Sequence, residues 1–261
     1  MNKKFLNRYT ILLNILKNPS FFMKNKQYIF ILSHMRSYST LLSHILANNS
    51  DICGYSEKHI PYYTSLDFQI LKSKSMERYK GNIQRKFLLD KILGNHCILS
   101  EEILRNKSLS IIFLLRNHND SLKSIIRTAL DPTSNIHRFS NENAASDYYI
   151  NRLTKLKEYS LTSKGKNIFI KSESLMNKTE KTFELLADYL NLEEELYSDY
   201  NTFELTGISG YGDHSKYINS GKIVRDRIHT NINISDKISL KCKEAYNECC
   251  ETLKENSVNY I

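Results

Sequence analysis

Two short segments of this chain combine basic and hydroxyl side chains in a way that suits a tetrahedral anion. Ser33-His34-Met35-Arg36-Ser37-Tyr38-Ser39-Thr40 puts an arginine and several hydroxyls on a turn that opens a helix. Exposed backbone N–H groups and the helix dipole stabilise negative charge there, and Arg36 adds a full positive charge. The second segment, Arg116-Asn117-His118-Asn119-Asp120-Ser121-Leu122-Lys123-Ser124, places an arginine eight residues ahead of a serine. Its guanidinium fork matches a phosphate or sulfate through two N–H bonds, while Ser121 and Ser124 share a helix face away from the apolar stripe. The first segment alone is also consistent with a polar helix start whose Arg36 pairs with a surface carboxylate, and the second with an internal salt bridge of Arg116 and with Ser124 as a neutral surface serine. A nucleotide loop of the GxxxxGK[ST] kind is not among the readings, because the first segment has neither glycine nor lysine.

Both segments follow short apolar runs. Tyr28 to Leu32 and Ser110 to Leu115 read as strands buried on two faces, and Phe87 to Asp90 and Asn167 to Lys171 are further strand candidates. Helical spacing follows each of the first two: Leu41, Leu42, Ile45 and Leu46 in one case, Leu122, Ile125, Ile126 and Ala129 in the other, with Asn119 as N-cap of the latter. Thr179 to Leu190 reads as another helix. Strands alternating with helices predict an α/β fold with a central parallel sheet covered on both faces. Ligands of such sheets bind beyond the C-terminal ends of the strands, where both segments fall.

The 261 residues fit a single domain, 1–261, with residues 1–26 as a basic helical N-terminal extension. A hydrophobic fraction of 41% with three prolines supports a folded core rather than disorder. The 37 Lys and Arg against 28 Asp and Glu give +9, which favours an anionic partner without choosing among nucleic acid, acidic lipid and phosphorylated small molecules. Five cysteines without CxxC spacing suggest neither a disulfide framework nor a metal site, and no metal is expected. No secretory signal and no apolar run of membrane-spanning length is apparent, so a cytoplasmic protein is expected. Peripheral membrane contact through a basic amphipathic helix at residues 5–17 is an alternative to packing of that helix on its own domain.

Taken together, the two segments resemble the 5′-phosphosulfate loop and the 3′-phosphate motif of sulfotransferases that use 3′-phosphoadenosine 5′-phosphosulfate (PAPS). The resemblance runs from about Tyr28 to Arg225 and looks closest to the bacterial members. It implies a P-loop-like three-layer fold, PAPS as donor and adenosine 3′,5′-bisphosphate as product. Donor binding would fall to Arg36, Ser37, Tyr38, Ser39, Thr40, Arg116 and Ser124, with Lys91 beside the transferring group. Ser172-Glu173-Ser174-Leu175 resembles a structural segment of that family. Gly212 to Lys216 and Gly221 to Arg225 resemble the loop that folds over the nucleotide, bringing in Lys216, Lys222 and Arg225. Two positions depart from the pattern: Tyr38 replaces a frequent glycine, and His118 replaces a proline.

Sulfuryl transfer needs in-line attack by a hydroxyl or amine, a base for its proton, and cations or N–H groups where charge develops. Arg36 and Lys91 suit the last role. Glu57 is the first candidate base, a position to which the resemblance also points, and His59 is the alternative. The acceptor is expected to be a small molecule, glycan or lipid, held by residues 58–80, with Tyr62, Tyr63, Phe68 and Tyr79, and by residues 131–149. A rival reading is a kinase or other phosphotransferase using Mg²⁺ held by Asp90. A basic nucleic-acid-binding module is a third, weakened by the lack of any recognisable nucleic-acid motif, so no nucleic-acid partner is expected.

Overall fold

The computed structural model describes residues 11–78, 85–208, 210–213, 215, 217–225 and 232–261. Residues 11–17 are helical (α1), followed by α2 (Pro19–Met23), β1 (Gln27–Ser33), α3 (Ser39–Asn48), β2 (Ile52–Cys53), α4 (Asp67–Arg78) and β3 (Phe87–Ile92). Then come α5 (Glu101–Leu104), β4 (Leu109–Leu115), α6 (His118–Leu130), α7 (Glu142–Thr162), β5 (Asn167–Lys171), α8 (Ser172–Asn177), α9 (Thr179–Leu190), α10 (Asp236–Asn256) and β6 (Asn259–Tyr260). The strands form one parallel sheet in the order β2-β3-β1-β4-β5-β6, flanked by helices, as the alternation of the sequence predicts.

The period of two along each strand divides the core into two layers. Tyr28, Phe30 and Leu32 of β1, with Ile111, Phe113 and Leu115 of β4, pack on one face beneath α4, α6, α7 and α10. Ile29 and Ile31, with Ile112 and Leu114, pack on the other beneath α3 and α9. Continuous burial of β1 from Tyr28 to Ser33 is thus what a run of β-formers covered on both sides requires. Cys242, Cys249 and Cys250 of α10 serve as small apolar residues under this cover, and all five cysteines are buried free thiols. Phe21, Phe22 and Lys26 are buried as well, so this stretch is anchored to the domain at those three residues. Among the described residues no helix is long and apolar enough to cross a membrane.

The chain leaves β1 toward β2 and β3 on one side and reaches β4 on the other, so strand direction of travel reverses between β1 and β4. A crevice at the C-terminal ends of these strands is the consequence. After β2 the chain turns back through Gly54, at φ +116, to bring the Glu57 segment to this edge. A Cβ at Gly54 would lie 2.5 Å from the Leu89 carbonyl oxygen, an atom fixed in the sheet. Gly54→Ala is therefore expected to destabilise the fold by roughly 2–4 kcal/mol, combining backbone strain with the clash, as read from urea melts. A change below about 0.5 kcal/mol, the size of a neutral surface substitution, would show that this corner is plastic.

Candidate functional site: an arginine-lined anion cleft

The loop after β1 takes a conformation that L-residues seldom adopt. Arg36 and Tyr38 have φ of +63 and +65, both left-handed. Four hydrogen bonds over-determine it. Ser37 donates its hydroxyl to the His34 carbonyl (2.8 Å), Ser172 donates to the Ser37 carbonyl (2.6 Å), the Met35 N–H donates to the Tyr148 hydroxyl (2.7 Å), and Ser33 and Ser37 share a hydroxyl contact (2.5 Å). The Tyr38 ring lies beside the loop, with the Arg116 guanidinium over its face at 4.4 Å. A glycine would have made the turn cheaper, but the ring gives the second segment's arginine a platform.

His34 joins the two segments. Its Nε2 lies 3.1 Å from the Arg116 backbone nitrogen, which can only donate, so Nε2 accepts and the proton sits on Nδ1. Nδ1 then donates to the Met35 carbonyl at 2.8 Å. Complete burial pushes this imidazole down to about 4, so it is neutral at physiological pH, as the tautomer requires. The corner after β5 adds a second tie: Ser172 holds Ser37, while Glu173 accepts from the Asn117 backbone (2.9 Å) and side-chain amide (2.7 Å). Asn117, not Asn119, caps α6, accepting from the Asp120 N–H at 3.0 Å.

Arg152 of α7 braces the strand ends from below. Fully buried, it donates through Nε to the Ser33 carbonyl (2.8 Å), through Nη1 to Asn95 (3.0 Å) and through Nη2 to the Ile92 carbonyl. Parallel strands leave such carbonyls unpaired at their C-terminal ends, and the buried fork satisfies two strands at once.

Above these braces opens a cleft of about 980 Å³, lined among others by Arg36 to Leu41, Glu57, His59, Arg116, Ser124, Arg127 and Asp213. Arg36 of the first segment donates through Nε to Ser124 Oγ of the second at 3.0 Å, and Arg127 Nη2 reaches the same oxygen at 3.5 Å. Burial, with Arg36 and Arg116 beside it, holds Arg127 below its ordinary range. Three cations each have a carboxylate within 4.0 Å: Arg36 with Asp213 (2.9 Å), Arg116 with Asp120 (3.5 Å) and Lys91 with Glu57 (3.9 Å). Burial alone would raise the Asp213 carboxyl, but Arg36 and Ser215 hold it well below the usual carboxylate range. Lys91 is buried, which lowers its affinity for a proton against the pull of Glu57 and Asp213, and its ammonium donates to Thr40 Oγ1 at 2.9 Å.

Arg36, Ser37, Tyr38, Ser39, Thr40, Arg116 and Ser124 therefore come together in one cleft, which Glu57 and His59 also line, and Lys91 reaches it through Thr40. Lys91 lies within β3 rather than after it, its side chain on the α3 face. Lys222 and Arg225 do not line the cleft; Arg225 instead donates to the Met176 carbonyl (2.8 Å) and Thr179 (3.0 Å), satisfying the corner between α8 and α9. Lys216 lies outside the described residues, as does Tyr79.

Of the expected acceptor residues, Tyr62 and Phe68 belong to the core: Phe68 stacks on Tyr28 at 3.8 Å, and the Tyr62 hydroxyl donates to Asp90 at 2.7 Å. Asp90 also accepts from the Lys58 N–H (2.9 Å), and burial pushes it up to about 6. It faces the interior on the side away from Lys91, so the placement expected of a metal-holding aspartate is not met. The 131–149 segment does line the cleft, through Asn135, Ile136, Arg138, Phe139, Ala144, Asp147 and Tyr148.

Sequence reasoning missed Arg127, although its place three residues after Ser124 on the same helix face is a readable signal. It also missed His34, Arg152 and Asp213, whose partners are distant in the chain.

No protein-family model matches the chain, and no curated protein is similar enough to count as a match.

His34 titrates near 6.5 in an unfolded chain and near 4 in the fold, so the unfolded chain takes up the proton first as pH falls. The stability contributed by neutral His34 is full above about pH 6.5 and is lost as the pH drops toward 4. In urea melts, the advantage of the wild type over His34→Gln is expected to be constant above pH 6.5 and to shrink below it. A difference independent of pH would remove the neutral bridge from the account.

Proposed function

We propose that this protein is a sulfotransferase that moves a sulfuryl group from PAPS to a hydroxyl or amine of its acceptor. The observation that carries the reading is the bond between Arg36 and Ser124, which merges two anion-binding segments 88 positions apart into one arginine-lined floor. A donor with anionic groups at both its 5′ and 3′ positions fits a floor with two grips better than a ligand with one. The loop amides and Arg36 take the phosphosulfate end, and Arg116, Ser124 and Arg127 take the 3′-phosphate.

In the proposed step the acceptor oxygen attacks sulfur in line while the bond from sulfur to the bridging phosphate oxygen breaks. The acceptor's proton passes to Glu57, whose carboxylate lines the cleft beside Lys91. The leaving adenosine 3′,5′-bisphosphate carries away the electron pair of the broken bond. Charge growing on its bridging oxygen is met by Lys91, Arg36 and the start of α3. Thr40 sits between Lys91 and the loop and relays the position of the ammonium. The acceptor, a small molecule, glycan or lipid headgroup, occupies the half of the cleft lined by Asn135, Arg138 and Tyr148. Five buried free thiols suit a reducing, cytoplasmic setting.

Adenosine 3′,5′-bisphosphate is expected to raise the melting temperature without Mg²⁺, and Arg116→Ala to abolish that shift. ATP with Mg²⁺ stabilising the protein while the bisphosphate has no effect would replace this reading with phosphoryl transfer. Glu57→Gln is expected to keep bisphosphate binding while transfer from labelled PAPS falls roughly 10²–10⁴-fold, the range of a lost general base. Normal transfer by that variant moves the role of base to His59.

A further inference from the structure

The segment from Gly210 to Asp213 lies across the donor loop. The Asp213 carboxylate accepts from Arg36 Nη1 at 2.9 Å, and the Asp213 N–H donates to Thr40 Oγ1 at 3.0 Å. Its two oxygens also accept from Ser215, by the backbone N–H at 3.1 Å and the hydroxyl at 3.0 Å. Both partners of the ion pair are largely buried, with side chains 15% and 14% exposed, and the contact spans 177 positions of sequence. The approach is close enough to demand glycine. Gly212 has φ +142, and a Cβ there would lie 2.8 Å from Thr40 Oγ1 and 3.1 Å from Lys91 Nζ. Gly210, at φ +89, gives its carbonyl to His59 Nε2 at 3.3 Å, so the segment touches both halves of the cleft.

An anion entering the first grip needs what Asp213 already holds. Arg36 has one guanidinium, with Nε turned to Ser124 and Nη1 to Asp213. Thr40 Oγ1 already accepts from both Lys91 and the Asp213 N–H. A carboxylate is planar and singly charged, whereas a phosphosulfate end is tetrahedral and more highly charged, so it gains more from Arg36, Lys91 and the loop amides together.

We propose that Asp213 is an internal anion seated where the charged end of the ligand binds, so that ligand binding displaces the Gly210–Asp213 segment and Asp213 sets the affinity. This rests on the anion-binding role of the loop, and on the PAPS reading only for the identity of the ligand. The two left-handed glycines supply the freedom for the segment to swing. Its movement releases the Gly210 contact with His59 at the same time and opens the acceptor half.

Inorganic pyrophosphate is a suitable probe, since it carries two linked tetrahedral anions and no nucleoside. In calorimetric titrations Asp213→Asn is expected to bind it roughly tenfold more tightly than the wild type, the scale of one charge-assisted contact no longer competed for. Asp147→Asn removes the same charge from a cleft residue whose partner, Lys241 at 4.0 Å, does not line the cleft, and serves as the control for general electrostatics, with a change below about threefold expected. Equal or weaker binding by Asp213→Asn, or equal gains in both variants, would overturn the proposal. Hydrogen exchange on the unmutated protein gives a test free of folding effects. Exchange of the Gly210–Asp213 amides is expected to quicken with saturating pyrophosphate, and unchanged or slower exchange would also overturn it. If pyrophosphate behaves as expected while adenosine 3′,5′-bisphosphate fails to bind, the donor assignment falls and the role of Asp213 stands.

Discussion

The site depends on a single neutral imidazole. Two loops that end different strands must be held at a fixed separation, and each brings backbone groups that cannot pair within the sheet. His34 resolves both needs, accepting from the Arg116 N–H and donating to the Met35 carbonyl. It can do so only unprotonated, because a charged ring has no acceptor left. Burial, which disfavours the charged form, is thus what makes the link work. Lysine or glutamine at this place would not offer a compact, rigid donor and acceptor on opposite sides of one ring.

Around that link the structure accumulates positive charge and then restrains it. Arg36, Arg116 and Arg127 converge near Ser124 in a partly buried cleft, where like charges repel more strongly than in water. Asp213 and Asp120 offset part of this within the protein. A cleft arranged in this way, on the proposed reading, favours an incoming anion carrying more charge than the carboxylate it displaces. On the proposed reading, Arg36 and Lys91 act on the reacting group while Arg116, Ser124 and Arg127 recognise the donor.

Much of this was legible in the sequence, for reasons that differ by element. Buried parallel strands need continuous runs of β-formers, so Tyr28 to Leu32 and Ser110 to Leu115 stood out, and the helices after them carried clean apolar stripes. The arginine and hydroxyl segments were visible because both grips are local in sequence. What was hidden is what is made by distant residues. Arg152 looks like an ordinary basic residue on a long helix until its bonds to Ser33 and Ile92 are seen. Phe68 and Tyr62, read as aromatic pocket residues, instead fill the core, since an aromatic in a loop-rich stretch carries no mark of which way it faces. Arg225, matched to a lid by its neighbours in sequence, is used to satisfy the carbonyl of Met176. The left-handed turn at Tyr38, a conformation that residues with a side chain seldom adopt, and the stacking of its ring under Arg116 both needed the structure.

Whether one ligand engages both segments at once is decided by a crystal structure with adenosine 3′,5′-bisphosphate bound. The 3′-phosphate is expected within hydrogen-bonding distance of Arg116 and Ser124, and the 5′-phosphate against Arg36 and the amides that open α3. A nucleotide bound outside the cleft, or one that touches only one of the two segments, would contradict it.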